Sequence, residues 1–381
     1  MSAFLCAAAF SAFTQNAEPF WLTLEQGKKF FREGEYGEAL NRFETARREK
    51  ENKYTRLERD LVAVLSLHEV RKFGDDLGLV EIYIQKTYRT AAAAALNELY
   101  YRFPRTGLGN SAQKALDVFE RLKKYPEAEY WIGEVYRLEG EYGIALAQYQ
   151  KAYDQRDSFS GPGFDIDVLY KIADILRLRG DYTGMEKRLN EILSSDVSWN
   201  EESLARSTMV NSVVNGGLDR FLVLYRSEKP ALEKAHRLLG FHYYSSNRQS
   251  LAVQHLLFSF LIQNTVVIEA LKKQRYDYRF TTLGTLLTDI GESGGDTRRA
   301  LEQYMAESDY YRVLYYLGNS FYGNGRTAAA RGIWSFLAER GPSAWSGRAR
   351  NQLSRPVLDG VTVPAPVEGN VPEGNAAAGY P

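Results

Sequence analysis

The four histidines are the first side chains to consider for chemistry, because imidazole acts as a general base and binds metal ions. They are His68, His236, His242 and His255. His236 and His242 are six residues apart, which turns them toward different faces of one helix, and His255 is expected on the next helix. A metal site requires ligands that converge. The sequence therefore favours packed or surface histidines and predicts no metal site.

Other catalytic motifs are missing from the sequence. Cys6 is the single cysteine, so no disulfide, zinc site or thiol catalyst can be built from this residue type. There is no phosphate-binding loop, GxSxG elbow or HExxH helix. The glycine-containing stretches 159–165 and 292–299 lack the lysine and the spacing of a P-loop and are typical of joints between helices. We expect no enzyme activity and no cofactor.

The composition of the 381-residue chain also limits its function. Lys plus Arg and Asp plus Glu balance at 48 each, so no overall charge favours nucleic acid. Hydrophobic residues make up 44% of the chain and charged residues 25%, which is enough apolar surface for a core. Tyr is the commonest aromatic residue, with 26 copies, and it suits half-buried surfaces between helices.

A fixed spacing recurs in five segments. A small residue is followed by an aromatic residue or Leu after three positions, a turn residue after seven, a small or compact residue after twelve and a bulky apolar residue after sixteen. The segments begin at Gly27, Gly133, Ala173, Gly240 and Gly318. The turn residues are Gly34, Gly140, Gly180, Asn247 and Gly325.

Each position in this spacing has a mechanical reason. A small residue inside the first helix lets a second helix approach closely, and large residues fill the space around it. Gly and Asn enter the left-handed conformation that ends a helix at the least steric cost. The spacing therefore predicts a helix, a tight turn and an antiparallel helix.

The spacing, the turn residues and Pro342 at the end of the fifth segment resemble the tetratricopeptide repeat (TPR) family. This resemblance implies an all-α fold, a right-handed superhelical solenoid of antiparallel helix pairs. The predicted repeat domain spans residues 18–354. Clear repeats are expected near residues 20–53, 126–159, 166–199, 233–266 and 311–344.

More divergent helices are expected between the clear repeats, which would give eight or nine pairs in all. Pro104 should stop one of these helices, and a capping helix is expected at 345–353. The predicted intervening helices are 57–73, 77–103, 111–124, 200–214, 218–225, 266–290 and 297–306.

The resemblance also implies a groove on the concave surface, lined by the first helix of each pair and able to bind peptides. The predicted partner-binding residues are Tyr130, Glu134, Arg137, Tyr170, Asp174, Arg177, Arg237, Phe241, Tyr244, Tyr315, Asn319 and Tyr322. The same register in the first repeat gives Leu24, Lys28 and Phe31. Alternatively, the tyrosines pack against adjacent repeats and the charged residues form i,i+3 pairs on a solvated face. The family's Lys and Asn clamp for a C-terminal carboxylate is absent.

Both ends of the chain differ in composition from the repeats. Residues 3–13 are an apolar run whose length suits a signal peptide, predicted over residues 1–17, although the usual basic start is missing. The alternatives are a lipid attached to Cys6, a buried first helix of a cytosolic protein, and an uncleaved N-terminus that serves as an anchor. Residues 355–381 are rich in Pro, Gly and Ala and are predicted to form a disordered tail.

These observations predict a non-catalytic scaffold that binds a protein or peptide partner on its concave surface. The signal-like N-terminus favours the periplasm or cell envelope, with peripheral association at the envelope membrane. The alternative is a component that binds a small hydrophobic ligand and serves a transporter or an envelope assembly machine.

Overall fold

The computed structural model describes residues 19–103, 105–194, 199 and 203–361. Over these residues the fold is all-α, with seventeen helices of ten residues or more and, in place of a β-sheet, one isolated bridge between Asp76 and Ser111. The chain forms two compact units, of which unit 1 ends at Gly180 and unit 2 begins at Asp181. The division falls at the turn of the third predicted repeat.

Unit 1 contains eight of these helices and two of the predicted helix pairs. The first pair is α1 with α2 and the second is α6 with α7, and within each pair the helices pack together across a three-residue turn. The helices are α1 (Phe20–Arg32), α2 (Tyr36–Leu65), α3 (Leu77–Lys86), α4 (Thr90–Arg102), α5 (Ala112–Lys123), α6 (Pro126–Leu138), α7 (Tyr142–Asp154) and α8 (Phe164–Leu178).

Unit 2 contains nine helices of this length and two more predicted pairs, α11 with α12 and α15 with α16. The helices are α9 (Tyr182–Leu193), α10 (Ser203–Leu224), α11 (Glu233–Ser245), α12 (Gln249–Gln274), α13 (Leu283–Glu292), α14 (Gly295–Glu307), α15 (Tyr310–Gly323), α16 (Thr327–Arg340) and α17 (Ser343–Ser354). The last of these matches the predicted capping helix. Helix α10 is broken at Gly217, which has φ 74° and lies between the predicted helices 200–214 and 218–225.

The close approach predicted at the small positions is confirmed in all four pairs. A Cβ atom added at Gly27 would lie 2.6 Å from the Phe43 ring, and the residue sixteen positions on supplies the neighbour each time. The corresponding distances are 2.8 Å from Gly133 to Tyr149, 2.6 Å from Gly240 to Leu256 and 2.6 Å from Gly318 to Trp334. No side chain larger than hydrogen fits without movement of its neighbour.

The predicted turn conformation is also confirmed. Gly34 has φ 81° and Asn247 has φ 58°, both in the left-handed region, where glycine and asparagine are the least strained residues. The other turn residues, Gly140, Gly180 and Gly325, have positive φ as well.

The predicted boundaries of the divergent helices are partly wrong. Residues 57–65 continue α2, a 30-residue helix, because Tyr54, Leu61 and Val64 carry its apolar face into the core formed with α3 to α5. The predicted helix 77–103 is two helices, separated near Tyr88, which has φ 51°. Likewise, residues 266–274 continue α12 and α13 begins only at Leu283.

Helix α12 is 26 residues long, and its most apolar stretch has a mean hydropathy of 1.6 and is 83% buried inside unit 2. Its buried amides form hydrogen bonds within the unit: Gln263 Nε2 donates to Glu233 Oε1 at 2.8 Å, and Asn264 Nδ2 donates to the Phe260 carbonyl at 2.7 Å. These contacts are those of a core helix. The predicted signal peptide with Cys6, the stop at Pro104 and residues 362–381 of the predicted tail lie outside the described residues.

Candidate functional site

Helices α11, α15 and α17 of unit 2 place a set of polar side chains around one groove. Tyr244 lies on α11, Tyr315, Tyr316 and Asn319 lie on α15, and Gln352 lies on α17. All five are buried, with exposed fractions of 5% or less. Tyr315 and Asn319 are four residues apart, so they lie on one face of their helix. We call this set the Asp359 groove, after the residue that it holds.

The occupant of the groove is the chain's own segment 355–361, which is non-helical. Tyr315 Oη donates to Asp359 Oδ2 at 2.8 Å, and Asn319 Nδ2 donates to Asp359 Oδ1 at 2.5 Å. The prediction of a disordered tail from residue 355 is therefore wrong for its first seven residues, because the groove supplies donors that their composition does not reveal.

The groove also binds the backbone of this segment. Tyr244 Oη donates to the Asp359 carbonyl at 2.8 Å, and Tyr316 Oη donates to the Gly360 carbonyl at 2.9 Å. The Gln352 amide makes two bonds with one residue, accepting from the Val357 N–H at 2.8 Å and donating to the Val357 carbonyl at 2.9 Å. These contacts recognise peptide backbone, since they involve no side chain of the segment.

A second layer fixes the donors. Trp334 Nε1 donates to Asn319 Oδ1 at 3.1 Å, so the NH₂ group of Asn319 must face Asp359. Gln352 Nε2 also donates to Tyr315 Oη at 2.9 Å, which leaves the Tyr315 hydroxyl proton for the carboxylate. The donor set is thus oriented by the helices rather than by the segment.

The electrostatics keep the tyrosines as donors. Burial raises the pKa of Tyr315 to about 12, with the Asp359 carboxylate acting in the same direction. Burial likewise raises the pKa of Tyr244. Arg348 supplies a positive charge at the rim, with Nη2 3.9 Å from Asp359 Oδ2 and its guanidinium 5.3 Å from the Tyr315 ring centroid. The groove therefore suits a carboxylate that accepts bonds from mainly neutral donors.

Three of the predicted site residues, Tyr244, Tyr315 and Asn319, meet in this groove. Two others on α11 form different contacts. Arg237 pairs with Glu233 at 3.1 Å and with Asp309 at 2.9 Å. Phe241 packs against Tyr316 and lies 4.4 Å from the Arg312 guanidinium. The ring of Tyr322 packs against Trp334, at 5.8 Å.

The predicted site residues of unit 1 form contacts within that unit. Glu134 pairs with Arg137 at 3.0 Å and Lys171 at 2.9 Å and accepts from the Tyr149 hydroxyl. Burial alone would raise the pKa of Glu134, but these cations hold it below its ordinary value. Tyr130 packs against Trp131, Tyr149 and Phe164.

The remaining predicted residues of unit 1 lie on α8. Tyr170 is buried, with 7% of its surface exposed. Asp174 and Arg177 form an exposed i,i+3 pair at 2.8 Å. In unit 1 these tyrosines are thus buried or packed against other rings, and the charged residues form ion pairs within the unit.

Several groove residues were missed by the sequence analysis. Tyr316 lies outside the repeat positions that were considered, Arg348 and Gln352 lie on the capping helix, and Asp359 and Gly360 lie in the predicted tail. One signal was present: Asp359 is the single charged residue between Arg355 and Glu368.

Two of the histidines of unit 2 converge and the third faces another side chain. His236 and His255 converge, with their Nδ1 atoms 3.2 Å apart, and the Trp199 ring centroid lies 4.5 Å and 4.6 Å from theirs. Burial lowers the pKa of His255 well below its ordinary value. His242 instead faces Glu186, at 3.4 Å. In the part of the chain that the structure describes, no group of three or more His, Cys, Asp or Glu side chains could hold a metal ion.

A second concavity in unit 2 has a volume of about 330 Å³ and is lined mainly by apolar residues of α10 and α16, with Leu283. Small-molecule pockets usually measure ~300–1,000 Å³, so it lies at the lower end of this range. Its charged side chain, Asp219, already accepts from the Leu283 N–H at 2.8 Å. The Asp359 groove presents more polar groups directed at one occupant.

Comparison with known proteins gives relatives but no family. No family model matches the chain. A protein of Treponema pallidum (strain Nichols) is 23% identical over 344 residues, which cover 89% of this chain and 91% of that protein. A protein of Borreliella burgdorferi is 20% identical over 282 residues, covering 67% and 85%. Both are described as uncharacterized proteins, so the likeness extends over most of each chain without indicating an activity.

Proposed function

We propose that this protein is a non-catalytic interaction scaffold of the TPR type that binds a segment of a protein partner in the Asp359 groove. The observation that carries the proposal is the segment 355–361, which is held there through its backbone and one carboxylate. A site that accepts a non-helical stretch of polypeptide in this way is suited to peptide recognition.

The helix pairs support the TPR part of the proposal. The small residue, the bulky residue sixteen positions later and the left-handed turn occur together in four pairs. A solenoid built from such pairs exposes the first helix of each pair to a partner. In unit 2 the first helices α11 and α15 supply four of the five groove side chains.

The proposed location is the periplasm or the cell envelope, with peripheral association at the membrane. It is supported by the apolar run of residues 3–13 and by the absence of cysteine after Cys6. Sequencing the N-terminus of the protein isolated from its own cells tests this part. A start near Gln15 or Glu18 is expected, while an intact Met1 would contradict cleavage.

Site-specific crosslinking tests the partner site. A photoreactive phenylalanine at position 345 replaces Trp345, whose ring lies 5.4 Å from that of Tyr315. The matched control is position 21 in unit 1, where Trp21 is 54% exposed. Both are placed in the wild-type chain and in Asp359→Lys, which removes the resident carboxylate. An adduct with a second protein from position 345 but not from 21 is expected; equal adducts from both positions would remove the site from the proposal.

A further inference from the structure

The segment 355–361 lies in the groove without burying large apolar side chains. Val357 and Leu358, the apolar residues beside Asp359, are 49% and 48% exposed. The described contacts to the groove are hydrogen bonds and the rim charge of Arg348. Polar contacts exchange with water at small net gain. Such a segment can leave the groove without unfolding the helices.

The helices, by contrast, hold the groove in its binding geometry. Asn319 is fixed by Trp334, and Tyr315 by Gln352 and by ring contacts with Tyr316 at 5.2 Å and Trp345 at 5.4 Å. When the segment leaves, these donors keep their orientation and face water. A second polypeptide with a carboxylate and free backbone carbonyls would satisfy the same donors.

The tether favours the resident segment. Asp359 is five residues beyond Ser354, the last residue of α17. A short link gives an effective concentration on the order of millimolar. A partner segment with the same contacts must therefore compete with an occupant that never diffuses away.

From this geometry, and resting on the proposed function, we infer that residues 355–361 are a tethered competitor of the partner. The partner segment that replaces them is a non-helical stretch carrying an aspartate, bound as Asp359 is bound. The tail thus sets the threshold for partner binding. A partner segment binds only when its concentration exceeds the effective concentration of the tethered segment, or when the partner also binds a second surface.

Direct binding to the full chain tests this inference. The probe is a fluorescein-labelled synthetic peptide of residues 354–362, and its anisotropy is titrated against wild type and Asp359→Lys. Lysine removes both acceptor oxygens and adds a charge beside Arg348, so the tether should leave. At least tenfold tighter binding to Asp359→Lys than to wild type is expected. The same peptide with Asn in place of Asp should bind that variant at least tenfold more weakly.

The control variant is Asp296→Lys, which makes the same charge change on α14 at a side chain that is 95% exposed. It should bind the probe as weakly as wild type. Hydrogen–deuterium exchange on residues 355–361 shows whether the tether has left the groove, and it should rise in Asp359→Lys alone.

Each other outcome overturns the inference. Equal binding to wild type and Asp359→Lys means that the tail does not compete, and it leaves the proposed function intact. A tail that stays protected in Asp359→Lys means that the carboxylate does not hold it. No binding to a released groove means that the partner has different chemistry, and the crosslinking from position 345 then decides separately whether the groove binds a partner at all.

Discussion

Two repeats, one in each unit, place different residues at the same position, and the carboxylate bound there has a different origin in each. The residue after the small glycine is Glu134 in unit 1 and Asn319 in unit 2. Glu134 brings its own negative charge and is paired with Lys171 and Arg137 within the unit. Asn319 brings an amide donor and binds the carboxylate of Asp359, which comes from outside the repeat helices.

The bulky residue sixteen positions on acts on this neighbour in both units. The Tyr149 hydroxyl donates to Glu134, and the Trp334 indole donates to Asn319. One packing rule therefore supports an ion network in unit 1 and the Asp359 groove in unit 2. The carboxylate belongs to the repeat helix in unit 1 and to the segment after the repeat helices in unit 2.

A substitution of Glu134 tests this contrast and has the largest expected effect. Glu134→Gln keeps the shape but leaves two cations without their buried partner, which should lower the free energy of unfolding by about 2 to 3 kcal/mol. Asp359→Asn is the matched change in unit 2 and should cost no more than about 1 kcal/mol, because that side chain is 28% exposed and the helices stay folded when the segment leaves the groove. Denaturant titrations of both variants check this, and similar losses would end the distinction between the two carboxylates.

The helix pairs were predictable from the sequence because their determinants are local. Gly27, Gly34 and Phe43 act through close approach and turn conformation, which depend on residue type and spacing. Helix α2 shows the limit, since its length depends on contacts of Tyr54 and Leu61 with helices much later in the chain.

The candidate site was predictable only in part for the same reason. Tyr244, Tyr315 and Asn319 follow from the repeat register, whereas their occupant does not. Residues 355–361 have the composition of a disordered tail, and their conformation is set by donors on α11, α15 and α17. The register also could not separate the two units, because Tyr130 and Tyr315 occupy equivalent positions and differ in their surroundings.

Lys50 provides a second test of the charges that unit 1 buries. Its Nζ atom lies 4.4 Å from the Tyr125 ring centroid and 5.8 Å from that of Phe20. Burial lowers the pKa of Lys50 to about 8 from an ordinary 10.5, against an opposing effect of Glu127 and with a smaller contribution of Arg102. Between pH 8 and 10 Lys50 binds more protons in the unfolded chain than in the folded chain. This residue therefore contributes a rise in stability of about 2 kcal/mol across the window, against the fall contributed by the buried tyrosines, whose pKa is raised.

The variant Lys50→Met should lose this rise and be more stable than wild type at pH 7, where the burial penalty is fully present. Lys272→Met in unit 2, at a side chain 44% exposed, is the control and should keep the wild-type slope. Unfolding free energies at pH 7.5, 8.5 and 9.5 measure the difference. The same slope in all three proteins would show that Lys50 is not desolvated.

The smallest expected effect concerns the shared packing rule. In Gly318→Ala the added methyl would lie 2.6 Å from Trp334 Nε1, so the indole must move. Overpacking costs ~1–3 kcal/mol and the gain in helix propensity recovers nearly 1 kcal/mol, which leaves a net loss of about 1 kcal/mol. Gly332→Ala on the paired helix α16 meets nothing within 4 Å and should gain about 0.5 to 1 kcal/mol.

The decisive readout for Gly318→Ala is at the groove rather than in the melting curve. Displacing Trp334 frees Asn319 to rotate, so amide exchange at residues 357–360 should increase in Gly318→Ala and stay unchanged in Gly332→Ala. The equivalent substitution Gly133→Ala should instead disturb the contact between Tyr149 and Glu134 and leave exchange at 357–360 unaffected. Increased exchange at 357–360 in all three variants would mean that the tail responds to general loosening and not to the orientation of Asn319.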